Sequence, residues 1–125
     1  MRCDLISALF PASFLNLFTL LQQIQEELSK KTGLNDSLHE KFGEVAESLL
    51  KLRIMFGMIR AAGMPQRTQN ALSKQFTKMD KIAADVCMCY IGSVGIKTTS
   101  HLEEKVNDLI KFCERQQTLQ GVPCN

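Results

Sequence analysis

Five cysteines and two histidines are the side chains of this 125-residue chain best suited to metal binding or thiol chemistry. Cys87 and Cys89 are separated by one residue, a spacing that matches neither a redox CxxC pair nor a zinc site. Only His39 and His101 could complete a metal site around these thiols. Reactive-thiol chemistry would need a cationic neighbour that lowers the thiol pKa, and the sequence indicates none. We therefore expect no metal, no cofactor and no catalytic cysteine.

The acidic residues give little more support to catalysis. Glu40, Glu44 and Glu47 form a row at i, i+4 and i+7, which is typical of a solvated helix face. The chain contains no GxSxG motif, glycine-rich phosphate loop, HExxH motif or Glu-x-x-His pair of the di-iron bundles. The sequence therefore predicts a protein that is not an enzyme and has no catalytic residues.

Apolar residues recur in alternating steps of four and three along four segments, which is the spacing of one helical face and not of a strand. The four stripes are Phe10, Phe14, Leu17, Leu21, Ile24 and Leu28; Leu38, Phe42, Val45, Leu49, Leu52, Phe56 and Ile59; Leu72, Phe76, Met79, Ala83, Val86 and Tyr90; and Leu102, Val106, Leu109 and Cys113. Short connections between long helices make neighbours antiparallel. The predicted fold is all-α, an antiparallel (up-down-up-down) four-helix bundle with coiled-coil-like heptad packing.

Helix-start and helix-stop residues predict helices at about 8–31, 37–62, 68–91 and 100–117 within one domain spanning 1–125, with a frayed tail at 118–125. Gly33 and Gly63 are suited to the left-handed turn after a helix. Ser37 and Ser100 each precede a glutamate by three residues, which predicts capping boxes for the second and fourth helices. Pro11 is tolerated only in a first turn, so the punctuation does not define where the first helix starts.

The uncharged stretch between Asp4 and Glu26 also resembles a signal peptide or membrane anchor. Pro11, Asn16 and three glutamines interrupt it, no small-x-small cleavage site follows, and it is shorter than the ~20 strongly apolar residues of a membrane span. We expect a core helix here. The odd number of cysteines predicts reduced thiols in a cytoplasmic or nuclear protein.

The first two segments carry more apolar residues than one stripe requires. In an antiparallel hairpin, the start of the first helix lies beside the end of the second, so this surplus predicts an apolar interaction surface at that end. The predicted partner-binding residues are Phe10, Phe14, Leu15, Phe18, Ile54, Met55 and Met58. The predicted function is a non-enzymatic protein–protein interaction module that self-associates as a homo-oligomer or acts as a subunit or adaptor of an intracellular assembly. A thicker core or a membrane surface are the alternatives.

Charge is unevenly distributed, because residues 51–81 contain seven basic residues and one acid, whereas residues 26–47 contain six acids and three basic residues. The candidate nucleic-acid-binding residues are Arg53, Arg60, Arg67, Lys74, Lys78 and Lys81. Lys74, Lys78 and Lys81 share one helical face, so their ammonium groups could contact successive phosphates of a nucleic acid. No aromatic residues interleave them, so base stacking is not expected. A nucleic-acid-binding bundle of regulatory or viral accessory type is the alternative function, and a solvated helix face is the simpler explanation.

Overall fold

The computed structural model describes the backbone of residues 3–94 and 99–117 and the side chains of residues 12–94 and 99–116. It contains α1 (Cys3–Ser29), α2 (Asp36–Ala61), α3 (Gln66–Ser93) and α4 (Ser100–Gln117). These helices form an antiparallel four-helix bundle with no strand in the described ranges, which confirms the predicted fold class. The predicted frayed tail at 118–125 lies outside the described residues. Coiled-coil-like packing geometry stays a prediction.

The core consists of the apolar stripes identified in the sequence. All described stripe residues of α1 and α4 are buried, and Leu21, Leu52 and Leu109 are fully inaccessible to solvent. Each such side chain contributes about 1.5–3 kcal/mol by leaving water. The bundle is therefore stabilised mainly by the residues whose spacing predicted it.

Contacts at both ends of the α1–α2 hairpin show its antiparallel pairing. In the first half of α1, the Ser13 hydroxyl donates to the Met55 sulfur at 3.4 Å. Near the end of α1, the Lys41 ammonium lies 2.9 Å from the Glu27 carboxylate. This places the first half of α1 beside the second half of α2, in the antiparallel order that the sequence predicted.

Two helix starts differ from the predicted positions. α1 begins at Cys3, so the helical backbone continues through Pro11 although proline removes one internal hydrogen bond. The N-cap of α2 is Asn35 rather than Ser37, because the Asn35 side chain accepts the Leu38 N–H at 2.9 Å. The Ser37 residue is already helical, and its hydroxyl contacts Glu27 at 3.4 Å.

The predicted glycine turns are present. Gly33 and Gly63 have φ angles of 80° and 96°, a left-handed conformation that glycine adopts without a Cβ clash. Gly63 follows α2, and Pro65 directly precedes α3, where its missing N–H costs no helical hydrogen bond. These residues turn the chain between antiparallel neighbours.

The bundle is packed unevenly around its circumference. α1 packs closely against α2 and α4, and α3 packs against α4, whereas the backbones of α2 and α3 are farther apart. The α2 stripe residues that face this gap, Phe42, Leu49 and Phe56, are only half-buried. The gap between α2 and α3 is therefore the place where the bundle presents apolar surface.

Candidate interaction face between α2 and α3

A groove with a volume of about 370 Å³ lies between α2 and α3. Its floor is formed by the buried core residues Val45, Val86 and Leu109. Small residues, including Ala46 on α2 and Ala83 on α3, line its walls and leave the space between the helices unfilled. The groove is consequently an apolar depression that reaches the hydrophobic core.

Large apolar side chains are exposed at the rim of this groove and on the outer surface of α2 beyond its end. Leu50 and Ile54 on α2 are 57% and 54% exposed, and Met88 and Ile91 on α3 are 71% and 61% exposed. We call the groove together with these four residues the α2–α3 face. Scattered exposed apolar residues are ordinary, but a group of them around an apolar groove is typical of an interaction site.

Side chains bridge α2 and α3 at both ends of the groove. At one end, the rings of Phe42 and Tyr90 pack edge to face with centroids 4.3 Å apart, and the Tyr90 hydroxyl hydrogen-bonds Nδ1 of His39. Burial raises the pKa of Tyr90 above its ordinary value, so this hydroxyl stays protonated at neutral pH.

Beyond the opposite end, the stacked rings of Phe56 and Phe76 lie 4.7 Å apart, and the Arg53 guanidinium pairs with the Asp80 carboxylate. The two helices are thus held at a fixed separation by side chains rather than by close backbone packing. The middle of the groove remains open to solvent along the outer surface of the bundle.

The three described cysteines differ sharply in accessibility. Cys87 is exposed and lines the groove, Cys89 is half-buried and Cys113 is buried. Desolvation raises the pKa of the Cys113 thiol to about 12, which leaves almost no thiolate at neutral pH. Cys87 is therefore the described thiol positioned to report whether the groove is occupied.

The structure divides the predicted partner-binding residues among different environments. Phe14 is buried with its ring 6.4 Å from that of Phe112, whereas Phe18 and Met55 are half-buried against the core. Leu15, Ile54 and Met58 are exposed, and the side chain of Phe10 lies outside the described part of the chain. Half of the described residues in this set therefore pack within the bundle and do not form an exposed surface.

The exposed members of that set do not form one surface. Ser13 contacts Met55 on α2, and Leu15 follows it by two residues, about 200° further round the helix. Leu15 consequently points away from α2 and from Ile54. The predicted surface at the start of α1 and the end of α2 is reduced to Ile54 and Met58, which continue the exposed row from Leu50 along the outer side of α2.

The six candidate nucleic-acid-binding residues also lie in different environments. Arg53 pairs with Asp80, and the Arg60 guanidinium lies over the Phe56 ring, 5.6 Å from its centroid. Lys78 precedes Asp80 by two residues and so faces away from α2. The four residues on α3, Arg67, Lys74, Lys78 and Lys81, are exposed.

Two of the α3 lysines acquire a neighbour that the sequence did not suggest. Lys78 and Lys81 lie with Arg115 of α4 around a second cavity, of about 350 Å³, between α3 and α4. Two glutamines, Gln75 and Gln116, contribute polar groups to the same cavity. We call Lys78, Lys81 and Arg115 the α3–α4 basic cluster.

Sequence reasoning missed most of the α2–α3 face, namely Leu50, Cys87, Met88 and Ile91. A usable signal was present, because Gly43 and Ala46 on α2 and Ala83 and Ala84 on α3 place small residues along the facing edges of the two helices. Small side chains there cannot fill the space between two helices. Their combination with apolar residues outside the stripes indicates incomplete packing on this side of both helices, although the groove itself depends on how the helices pack together.

The described residues give no sign of a metal centre or a membrane span. In the described ranges, no three His, Cys, Asp or Glu side chains come together in a way that would hold a metal ion. None of the helices, within the part of the chain that is described, combines the length and apolarity needed to cross a bilayer. No family model, curated protein or solved structure matches the chain.

Proposed function

We propose that this chain is a non-enzymatic protein–protein interaction domain that binds through its α2–α3 face. The observation that supports the proposal is the group of exposed side chains, Leu50, Ile54, Met88 and Ile91, around an apolar groove. Burying such surface contributes roughly 25 cal/mol for each Å² removed from water.

The shape of the face suits a protein surface better than a small molecule. The groove is open on the outer side of the bundle and is bordered by two antiparallel helices, an arrangement that accepts helices from another protein. Met88 adds an unbranched, adaptable side chain to the rim. His39 and Tyr90 supply polar groups at one end, which would orient a bound surface.

The test uses matched aspartate substitutions of exposed residues. Leu50→Asp and Ile91→Asp place a charge on the α2–α3 face, whereas Leu15→Asp places the same charge on a leucine that is 49% exposed on the outer side of α1. Because all three side chains are exposed, circular dichroism should show an unchanged helical content.

Each variant and the unmodified chain are immobilised and exposed to extract from the cells of origin. Proteins retained by the unmodified chain and by Leu15→Asp should be lost from Leu50→Asp and Ile91→Asp, and alkylation of Cys87 should slow in the complex. Equal retention by all four proteins, or unchanged alkylation of Cys87, would contradict the proposal.

A second candidate function is binding of a nucleic acid or another polyanion at the α3–α4 basic cluster. It is favoured by the position of Arg115 beside Lys78 and Lys81, which adds a second helix to the predicted lysine row. The double substitution Lys78→Glu with Lys81→Glu should abolish a low-salt electrophoretic shift of RNA or DNA, with Lys30→Glu as the control. Raising salt from about 50 to 200 mM should weaken the same complex steeply.

A further inference from the structure

We propose that the surface occupying the α2–α3 face is a second copy of this chain, related by a two-fold axis perpendicular to α2 and α3. This inference rests on the proposed function, since it requires the face to be an interface. It goes further by naming the occupant and the register. Charged residues lie along the two outer edges of the face, and their positions select this arrangement.

Ring contacts across the groove give the relative level of the two helices. Phe42 packs on Tyr90 and Phe56 stacks on Phe76. Leu49 is midway between the two phenylalanines of α2, and Ala83 is midway between their partners on α3. Leu49 and Ala83 are therefore level with each other, and both line the end of the groove nearer to the Phe56–Phe76 pair.

The α2 edge has opposite charges equally spaced about this level. Glu47 precedes Leu49 by two residues, and Lys51 follows it by two. Both charged side chains lie on the outer edge of α2, farther from α3 than Leu50 and Ile54 are. A two-fold axis at Leu49 reverses the direction of the second α2. It brings Glu47 of each copy opposite Lys51 of the other. Both side chains are more than 60% exposed, with a loose 3.7 Å ion pair between them, so they can reach across.

The α3 edge shows the same arrangement independently. Lys81 and Asp85 lie two residues before and two residues after Ala83, on the side of α3 away from α2, and both are exposed. Because Leu49 and Ala83 are level, one axis serves both edges. Lys81 of each copy then lies opposite Asp85 of the other, which gives four opposite-charge contacts around the apolar centre.

The exposed apolar residues of α2 are compatible with this register. Leu50 lies one residue from the axis and meets its own symmetry mate. Ile54 comes level with Glu44 of the second copy, next to Gly43, which has no side chain and no neighbour within 4 Å of an added Cβ. The glycine therefore leaves room for the isoleucine of the second copy.

The competing two-fold arrangement is disfavoured by the same residues. A two-fold axis parallel to the helices would place α2 of one copy over α3 of the other. Each α2 residue would then face the α3 residue that lies at the same height in its own copy. Lys51 would then lie level with Lys81, and Glu47 level with Asp85, so both edges would place like charges together. The charge pattern thus selects the perpendicular axis.

The test is a charge swap measured by sedimentation equilibrium at low salt. Glu47→Lys and Lys51→Glu each replace two attractive contacts by two repulsive ones, and either should weaken dimerisation roughly tenfold. The double variant Glu47→Lys with Lys51→Glu restores opposite charges across the axis and should restore the dimer. Glu104→Lys, an exposed reversal on α4, is the control and should leave the dimer unchanged.

A cysteine scan tests the register directly. Symmetric copies of residue 84 would be offset by only about 3 Å along the helices, whereas copies of Cys87 would be offset by about 12 Å, beyond the reach of a disulfide. Ala84→Cys should therefore form a covalent dimer on mild oxidation, and the unmodified chain should not form one through Cys87. Crosslinking through Cys87, or no crosslinking of Ala84→Cys, would overturn the register.

Failure of this inference is distinguishable from failure of the proposed function. A chain that stays monomeric up to about 1 mM, or whose double swap does not restore the dimer, refutes self-association through these edges. If Leu50→Asp and Ile91→Asp still lose a captured protein that Leu15→Asp keeps, the face binds a different protein and the proposed function stands.

Discussion

Leu21 and Leu49 occupy equivalent positions in the apolar stripes of their helices, yet they lie in different environments. Leu21 is fully buried between helices, whereas Leu49 is half-buried and lines the groove. Leu21→Ala should lower the free energy of unfolding by about 2–5 kcal/mol, because it leaves a cavity in a close-packed core. Leu49→Ala should cost clearly less. Urea denaturation followed by circular dichroism measures both, and equal losses would mean that the groove is filled in the monomer.

The cysteines provide a second prediction for individual residues. Cys87 is exposed, while burial raises the pKa of Cys113 to about 12. At protein concentrations low enough to keep the chain monomeric, alkylation with iodoacetamide at pH 8, resolved by peptide mass spectrometry, should modify Cys87 rapidly and leave Cys113 unmodified in the folded protein. Unfolding in urea should expose Cys113 and make it react. Rapid modification of Cys113 without urea would show that α4 is not packed as described.

The start of α2 is determined by one side chain. The Asn35 side chain accepts the Leu38 N–H, whereas Ser37 lies inside the helix. Asn35→Ala should therefore lower the free energy of unfolding by about 0.5–2 kcal/mol. Ser37→Ala is the matched control and should change it little. If Ser37→Ala is the more damaging substitution, the capping box predicted from the sequence is the correct start.

The α1–α2 contact should make stability depend on pH. A hydrogen bond from Lys41 lowers the pKa of Glu27, and the attraction of the Lys41 charge acts in the same direction. Since the pKa is lower in the folded state, the contribution is present above the ordinary glutamate pKa and is lost as pH falls through the depressed folded value.

The corresponding measurement compares Glu27→Gln with the unmodified chain. The difference in unfolding free energy should be largest near neutral pH and should shrink below about pH 4. Glu26→Gln, an exposed neighbour, controls for the change in net charge. A difference that stays constant from pH 7 to pH 3 would argue against the Lys41 contact.

At the scale of the whole molecule, the bundle combines three closely packed helix pairs with one open pair. Natural proteins often keep a loosely packed region where they bind a partner. Substitutions that fill such a region raise the stability of the protein but weaken its binding. The small residues along α2 and α3 are the reason that this pair stays open here.

Ala83→Leu tests whether filling the groove raises stability at the expense of binding, because Ala83 lines the groove between α2 and α3. Added apolar volume there should raise the free energy of unfolding by about 0.5–2 kcal/mol. The same variant should lose association through the α2–α3 face, because its side chain occupies the space a partner would enter. Thermal unfolding and sedimentation measure the two effects. Higher stability with unchanged association would place the interface elsewhere.

The sequence by itself determined the helices, their antiparallel order and most of the core. Core-facing residues repeat with the helical period, so Leu21, Leu52 and Leu109 are recognisable from local spacing alone. Gly33 and Gly63 marked the turns for an equally local reason, because few residues other than glycine adopt a positive φ without strain.

Only the tertiary structure decided which apolar residues outside the stripes face solvent. Phe14 and Leu15 are adjacent in the sequence, yet the former packs on Phe112 and the latter is exposed. The separation of α2 and α3 depends on the summed sizes of side chains that are distant along the chain, including Ala46 and Ala83. No local periodicity encodes that sum, so the groove and its exposed rim emerge only when the helices are packed together.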